Sequence, residues 1–296
     1  MKGRTVEYME GTMKIRSKII LSLILAAVML LLYALPGGVQ ERGYRLPVLM
    51  YHHFDETVAA DTVVSPERFR EQMTALKNAG YTTVTLQQIL DFVDHGVPLP
   101  QKAVLITMDD GYVSNLTVAA PILEELGMCA TVFLIGIYEG EEISPNSGNP
   151  LYPARFSYEA AMQWAEKGVL DLQSHTYNMH QRAHDGFSGR DGILLLEGEL
   201  AADYRAALME DVKLFAEKRR AHGVDTPLLA LAYPYGFYGD ESEDALRDAG
   251  ICFTFTVEEE NNLLQIGQRD CLWNMGRFNV TERDSGEKLV RRLGTA

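Results

Sequence analysis

The sequence predicts a parallel α/β fold, as a barrel-like or doubly wound sheet, and three observations carry that expectation. Beyond residue 46, apolar runs of strand length alternate with segments of helical period. The runs are rich in branched and aromatic residues and nearly free of charge, as strands buried on both faces are. At 296 residues and 47% apolar composition, the chain has enough material to cover both faces of such a sheet with helices.

In chain order, the first element is an uncharged run from Ile19 to Leu35, preceded by Lys14, Arg16 and Lys18. Its length and positive flank predict one N-terminal hydrophobic helix that targets the chain for export and leaves its amino end in the cytoplasm. No A-x-A pattern follows the run, so a retained anchor is expected over a cleaved signal. The expected organisation is a stub and anchor helix at 1–36, a linker at 37–45 and a single domain at 46–296. That domain would be extracellular on a single-pass membrane anchor, or secreted if the segment is cleaved.

Strands are expected at Pro47–Met50, Ala103–Met108, Ala130–Ile135, Val169–Gln173, Leu228–Ala232 and Cys252–Thr256. Between them, Ser65-Pro66 signals an N-cap and first helical turn, and the following segment keeps helical spacing to a stop at Gly80. Further helices fit Leu116–Leu126, Tyr158–Lys167, Gly198–His222, Glu241–Ala249 and Glu282–Leu293. The stretch Gly136 to Pro153 is rich in Gly, Pro, Asn and Ser and predicts a long loop at the rim of a cleft.

Composition excludes several functions. Lysine and arginine number 27 against 41 acidic residues, a net charge of −14 that leaves no basic face for nucleic acid. Cys129, Cys252 and Cys271 are scattered and form no CxxC pair, so neither a disulfide framework nor a thiolate metal site is encoded. A metal would have to be held by His, Asp or Glu.

In a parallel α/β sheet, chemistry sits at the carboxyl ends of the strands, and four such ends carry polar residues. Asp109-Asp110-Gly111 follows the AVLI run; two adjacent carboxylates repel unless a cation or donor separates their roles, although Asp and Gly also make ordinary turns. His175 and His180 lie five residues apart after VLDLQ, spaced so that a turn would aim both rings at one point. Two imidazoles and one carboxylate with open water positions form a metal site. Tyr233-Pro234-Tyr235-Gly236 makes a rigid strand exit whose backbone N–H groups can line a pocket, and Tyr51-His52-His53 closes the first strand.

Together these motifs resemble the polysaccharide deacetylases that share the NodB homology domain. TMDDG resembles the family's TFDDG signature, SHTYNMH its H-[ST]…H motif in the spacing of poly-N-acetylglucosamine deacetylases, and YPYG the end of R-x-P-Y-G. PVLMYHHF and SPERFREQMTALKNAGYTTVTL are similar to the amino-terminal part of that branch, so the resemblance covers about Leu46 to Val280. It implies an irregular (β/α) barrel and hydrolysis of acetamide groups on an extracellular amino-sugar polysaccharide, poly-N-acetylglucosamine-like or peptidoglycan. By resemblance, Asp110, His175 and His180 bind one divalent ion, commonly zinc, Asp109 is the general base and the Tyr235 N–H holds the oxyanion. His52 matches the family's Y-H pair as a site residue.

The sequence departs from the pattern twice. Ala232 replaces the arginine that would orient Asp109, and Arg277 is the candidate substitute because a late strand end returns to the same face, with Arg155 second. No histidine follows His222, so the L-x-x-H motif whose histidine protonates the departing amine has no counterpart after Cys271. Two alternatives follow: an O-acetyl esterase on a xylan-like glycan, and a non-catalytic glycan-binding module. His53, His95, His184 and His222 are expected to be surface or packing residues.

Overall fold

Apolar strands buried on both faces pair in parallel and require helices as crossovers, and that is what the computed structural model contains over the residues it describes, 43–185 and 187–295. The chain enters through β1 (Tyr44–Leu46), β2 (Val48–Tyr51), β3 (His53–Phe54) and β4 (Val63–Val64), then α1 (Pro66–Asn78), β5 (Thr82–Thr83) and α2 (Leu86–His95). Next come β6 (Ala103–Asp110), α3 (Ala120–Leu126), β7 (Ala130–Leu134), α4 (Tyr158–Glu166), β8 (Leu170–Ser174), α5 (Ala201–Ala221) and β9 (Ala230–Ala232). The chain finishes with α6 (Asp240–Asp248), β10 (Phe253–Phe255), β11 (Asn262–Leu264), β12 (Phe278–Asn279) and α7 (Gly286–Thr295).

The main sheet has the order β10-β9-β8-β7-β6-β2-β12, with β5 also on β6, and every pairing in it is parallel. The sheet curls into a half-barrel. Its edges approach each other through the segment before β12, where Met275 bridges Phe255 in parallel and Phe278 pairs with Leu49. Strand alternation divides the core in two. On β6, Val104, Ile106 and Met108 face the helices with Phe69, Leu123 and Leu289, whereas Ala103 and Leu105 face a second cluster with Phe133, Phe253 and Phe255. Asp109 is in phase with Leu105 and Thr107, so the period of two places its carboxylate on the inner side at the strand's carboxyl end.

All six expected strands are present within two residues of their expected ends. Helix α1 begins as expected, with Ser65 Oγ accepting from the Arg68 N–H at 3.2 Å. Helix α2 is an addition to the sequence reading, although it carries a capping box: Thr85 Oγ1 accepts from Gln88 N–H, and Gln88 Oε1 accepts from Thr85 N–H. The last helix starts at Gly286, not Glu282, because Asp284 Oδ2 accepts from the Thr281 N–H and hydroxyl and ties residues 281–284 into a turn. Tyr44 and Arg45, placed by the sequence reading in the linker, pair with Leu264 and Leu263 and belong to the fold.

The expected N-terminal helix and anchor lie outside the described residues; among the described residues no helix is long and apolar enough to cross a membrane. The three cysteines are free thiols.

Candidate active site

Three strand ends meet at one mouth of the half-barrel, and each turns through an unusual backbone conformation. Asp110, Thr176 and Tyr235 have φ of 74°, 70° and 58°, three of the four non-glycine residues with positive φ among those described. Each costs on the order of 1–3 kcal/mol and persists only where its surroundings impose it. Here the surroundings are the site itself.

Asp109 is 2% exposed and receives two parallel hydrogen bonds from Arg277, 2.7 Å to Oδ1 and 2.8 Å to Oδ2. Arg277 has no exposed surface; it also donates to the Thr256 carbonyl and to Thr107 Oγ1. Burial alone would push the Asp109 carboxyl up, but the guanidinium, with His175 and His52, holds it below the usual carboxylate range. Arg277 reaches this position because Gly276 precedes it. A Cβ there would lie 2.2 Å from Glu260 Cγ and 2.8 Å from the Glu258 carbonyl, so no other residue lets the chain pass so close. Arg155, the second candidate, goes elsewhere: it lies over the Tyr112 ring at 3.7 Å and 4.0 Å from Asp110 Oδ2.

Beside Asp109, the Asp110 carboxylate faces both histidines. Its Oδ1 is 3.6 Å from His175 Nε2 and 3.3 Å from His180 Nε2, and one donor atom from each of the three residues lies within 4.8 Å of the others. His175 Nδ1 is 2.8 Å from the Ala232 carbonyl, which can only accept, so Nδ1 carries a proton and Nε2 is the ring nitrogen that faces Asp110. Burial drives His180 down to about 4 against the pull of Asp110, which keeps its imidazole neutral, the form that ligates metals. Burial would raise Asp110, but His180, Arg155 and His175 hold it well below the usual carboxylate range. A carboxylate oxygen and two imidazole nitrogens converging in this way fit a divalent ion of the zinc type and leave positions open.

His52 completes the constellation. Its Nε2 is 4.0 Å from Asp109 Oδ2, its Nδ1 is buried without a partner, and its carbonyl is fixed by Asn115 Nδ2 at 2.8 Å. Burial lowers its affinity for a proton while Asp109 and Asp110 oppose that. Tyr235 is half-exposed, its ring 4.5 Å from that of His180 and its hydroxyl 3.3 Å from His180 Nδ1. His53 is a packing residue, bonded to Ser114 Oγ at 2.8 Å, while His95 and His184 are exposed and His222 caps α5 against Tyr158.

One participant is absent from the sequence reading. Asp211, buried on α5, accepts from the Tyr177 N–H at 2.7 Å and the Asn178 N–H at 2.8 Å, fixing the loop between the two histidines. Burial pushes its carboxyl up to about 6 while the two N–H bonds oppose the rise. Its only signal in sequence is an acid among Leu208, Val212 and Phe215 on the buried face of a helix. Asn at this position retains one acceptor and turns a donor toward an N–H, so Asp211→Asn is expected to cost about 1–3 kcal/mol in chemical denaturation and to lower metal content. Unchanged stability and metal content would remove Asp211 from this role.

A sequence model of the polysaccharide deacetylase family matches residues 96–254. YxkH of Bacillus subtilis (strain 168) is 27% identical over 218 residues, 74% of this chain and 66% of the relative. The poly-beta-1,6-N-acetyl-D-glucosamine N-deacetylase of Escherichia coli (strain K12) is 26% identical over 225 residues, 71% of this chain but 33% of that protein. The chain thus spans about two thirds and one third of these relatives. The solved structure of IcaB from Ammonifex degensii superposes with a TM-score of 0.68 at 25% identity, covering 86% of this chain and 98% of the other.

Proposed function

From the premise that the chain belongs to the polysaccharide deacetylase family, we propose that it hydrolyses the acetamide of a poly-β-1,6-N-acetylglucosamine-like polymer outside the cell, releasing acetate, with one divalent ion, most simply zinc, held by Asp110, His175 and His180. The observation that carries this reading is the Arg277–Asp109 pair set beside that ligand set. A bound ion supplies Lewis acidity toward water and the acetyl carbonyl.

The chain's own groups supply the rest. Asp109 is kept ionised by Arg277 and aimed by two bonds, so it accepts the proton of the attacking water as general base. The Tyr235 N–H, on the strained turn over His180, holds the developing oxyanion. His52, whose Nε2 lies 4.0 Å from Asp109 Oδ2, passes the proton that Asp109 takes from water on to the departing amine. The water oxygen bonds to the acetyl carbon as its proton passes to Asp109, and collapse of the tetrahedral adduct then breaks the C–N bond as the nitrogen takes that proton, giving acetate and a glucosamine amine that is an ammonium in neutral solution.

The resemblance in spacing and the named relatives favour poly-N-acetylglucosamine over peptidoglycan. Acetate release from β-1,6-linked N-acetylglucosamine oligomers is expected to exceed that from peptidoglycan fragments and acetylated xylan; the reverse order would reject this substrate. The apolar run at 19–35 supports an export and membrane role, testable by fractionating cells that express the full chain.

The hydroxyl of Tyr235 approaches the ring nitrogen of His180 that points away from Asp110, so it orients a ligand. Tyr235→Phe is expected to weaken zinc binding about tenfold or more in a chelator competition while the melting curve stays in place. Unaltered zinc affinity would show that the hydroxyl does not orient His180.

A further inference from the structure

Resting on that functional reading, we propose that Lys218 and Glu139 are positioning residues for the metal site. They hold the turn that follows β7 against the loop between the two histidines, and so set how His175 and His180 meet. The loop is gripped through its peptide groups. The Gly136 N–H donates to the Thr176 carbonyl at 3.0 Å, and the Ile137 N–H donates to the Tyr177 carbonyl at 2.8 Å. The N–H groups of Tyr177 and Asn178 go to Asp211. Thr176 follows His175 directly and has φ of 70°, a conformation a branched residue does not favour, so it depends on bonds of this kind.

A turn that grips must itself be held. Lys218 Nζ donates to the Gly136 carbonyl at 3.1 Å, so Gly136 is bonded to the loop through its N–H and to α5 through its C=O. The ammonium is also 3.3 Å from Glu139 Oε2, while Glu139 Oε1 accepts from the N–H of Tyr158, the first residue of α4, at 2.6 Å. The Glu139 side chain is 5% exposed, so this pair is screened less than the exposed pairs that contribute little. Gly136 is where the parts meet: a Cβ there would lie 2.7 Å from Tyr177 Cδ2 and 2.9 Å from Phe215 Cδ2 on α5. No slack remains between turn, loop and helix, so a shift of the turn passes to the loop. Asp211 and Lys218 are seven residues apart on α5 and share one face. One helix thus holds the histidine loop by its N–H groups directly and by its carbonyls through the turn.

The test measures, in the full chain, zinc affinity by chelator competition, and kcat and KM on β-1,6-linked N-acetylglucosamine oligomers at saturating zinc. Lys218→Met keeps the apolar stem and removes the ammonium. It is expected to weaken zinc binding about tenfold, as loss of a group that orients ligands does, and to lower kcat while KM stays in place. Lys218→Arg can still donate to the Gly136 carbonyl and pair with Glu139, so it should recover most of the loss. Glu139→Gln keeps an acceptor for the Tyr158 N–H but loses the ion pair, and should weaken zinc binding in the same direction. Lys213→Met, which removes the exposed partner of Glu210 on the same helix, should change neither quantity. A Lys218→Met protein that melts earlier yet keeps wild-type zinc affinity would overturn the proposal, as would an equal loss in Lys213→Met or no recovery in Lys218→Arg. If Lys218→Met does not fold, wild-type zinc affinity in Glu139→Gln overturns it instead. Zinc binding that weakens in Lys218→Met although the wild type releases no acetate leaves the positioning in place and removes the functional reading. Acetate release by the wild type with zinc affinity unmoved in Lys218→Met removes the positioning alone, and a wild-type chain that binds no zinc removes both.

Discussion

Asp109→Asn is expected to reduce acetate release by about 10²–10⁴-fold, the usual contribution of a positioned general base, while the zinc content stays at that of the wild type. The amide keeps one acceptor for Arg277 but cannot take a proton from water. Asp109 lies outside the three-ligand set, so metal content measured by elemental analysis separates loss of the base from loss of the ion. Turnover within a factor of about two of wild type would remove Asp109 from the mechanism.

The second large effect is on stability. Arg277→Leu leaves a carboxylate that is 2% exposed without its partner, and breaking a buried pair on one side costs about 3–5 kcal/mol. The pH dependence identifies the cause. In the wild type Asp109 is held below its ordinary value of 3.8, so its contribution to stability is present at neutral pH and is lost as pH falls through the folded value. Without the guanidinium, burial raises the same carboxyl above its ordinary value, and the folded variant then loses stability as pH rises through the new value. The gap between wild type and Arg277→Leu, measured by urea denaturation, should therefore be widest near neutrality and narrow toward pH 3. Arg277→Lys, which keeps the charge but not the two-bond geometry, should recover part of both stability and turnover. A gap independent of pH would mean that Arg277 acts by packing alone.

The fold and the site were legible to different depths. The six central strands announce themselves because each is an apolar run bounded by turn residues, and their carboxyl ends mark where Asp109, Asp110, His175 and Tyr235 come together. The short strands β5 and β12, of two residues each, carry no periodicity of their own; they exist because a neighbouring edge accepts them. Helix α2 was legible too, since Leu86, Ile89, Leu90 and Val93 recur at helical spacing between the Thr85 capping box and Gly96, yet the expected elements left it out. Arg277 could be nominated because a late strand end returns to the same face, yet that it, and not Arg155, meets Asp109 depends on the passage that Gly276 permits. Asp211 was out of reach, since its role is to satisfy backbone N–H groups more than thirty positions away in the chain, and such contacts leave no spacing in the sequence.

The central claim is that Asp109, held by Arg277, works beside an ion held by Asp110, His175 and His180. It is tested most directly by acetate release from β-1,6-linked N-acetylglucosamine oligomers, assayed on the full chain after chelation, after zinc is restored, and in Asp109→Asn restored in the same way. The predicted result is activity that disappears with the chelator, returns with zinc in the wild type and does not return in the variant. Release that survives complete removal of the metal, or an Asp109→Asn protein that regains wild-type turnover with zinc, would contradict it.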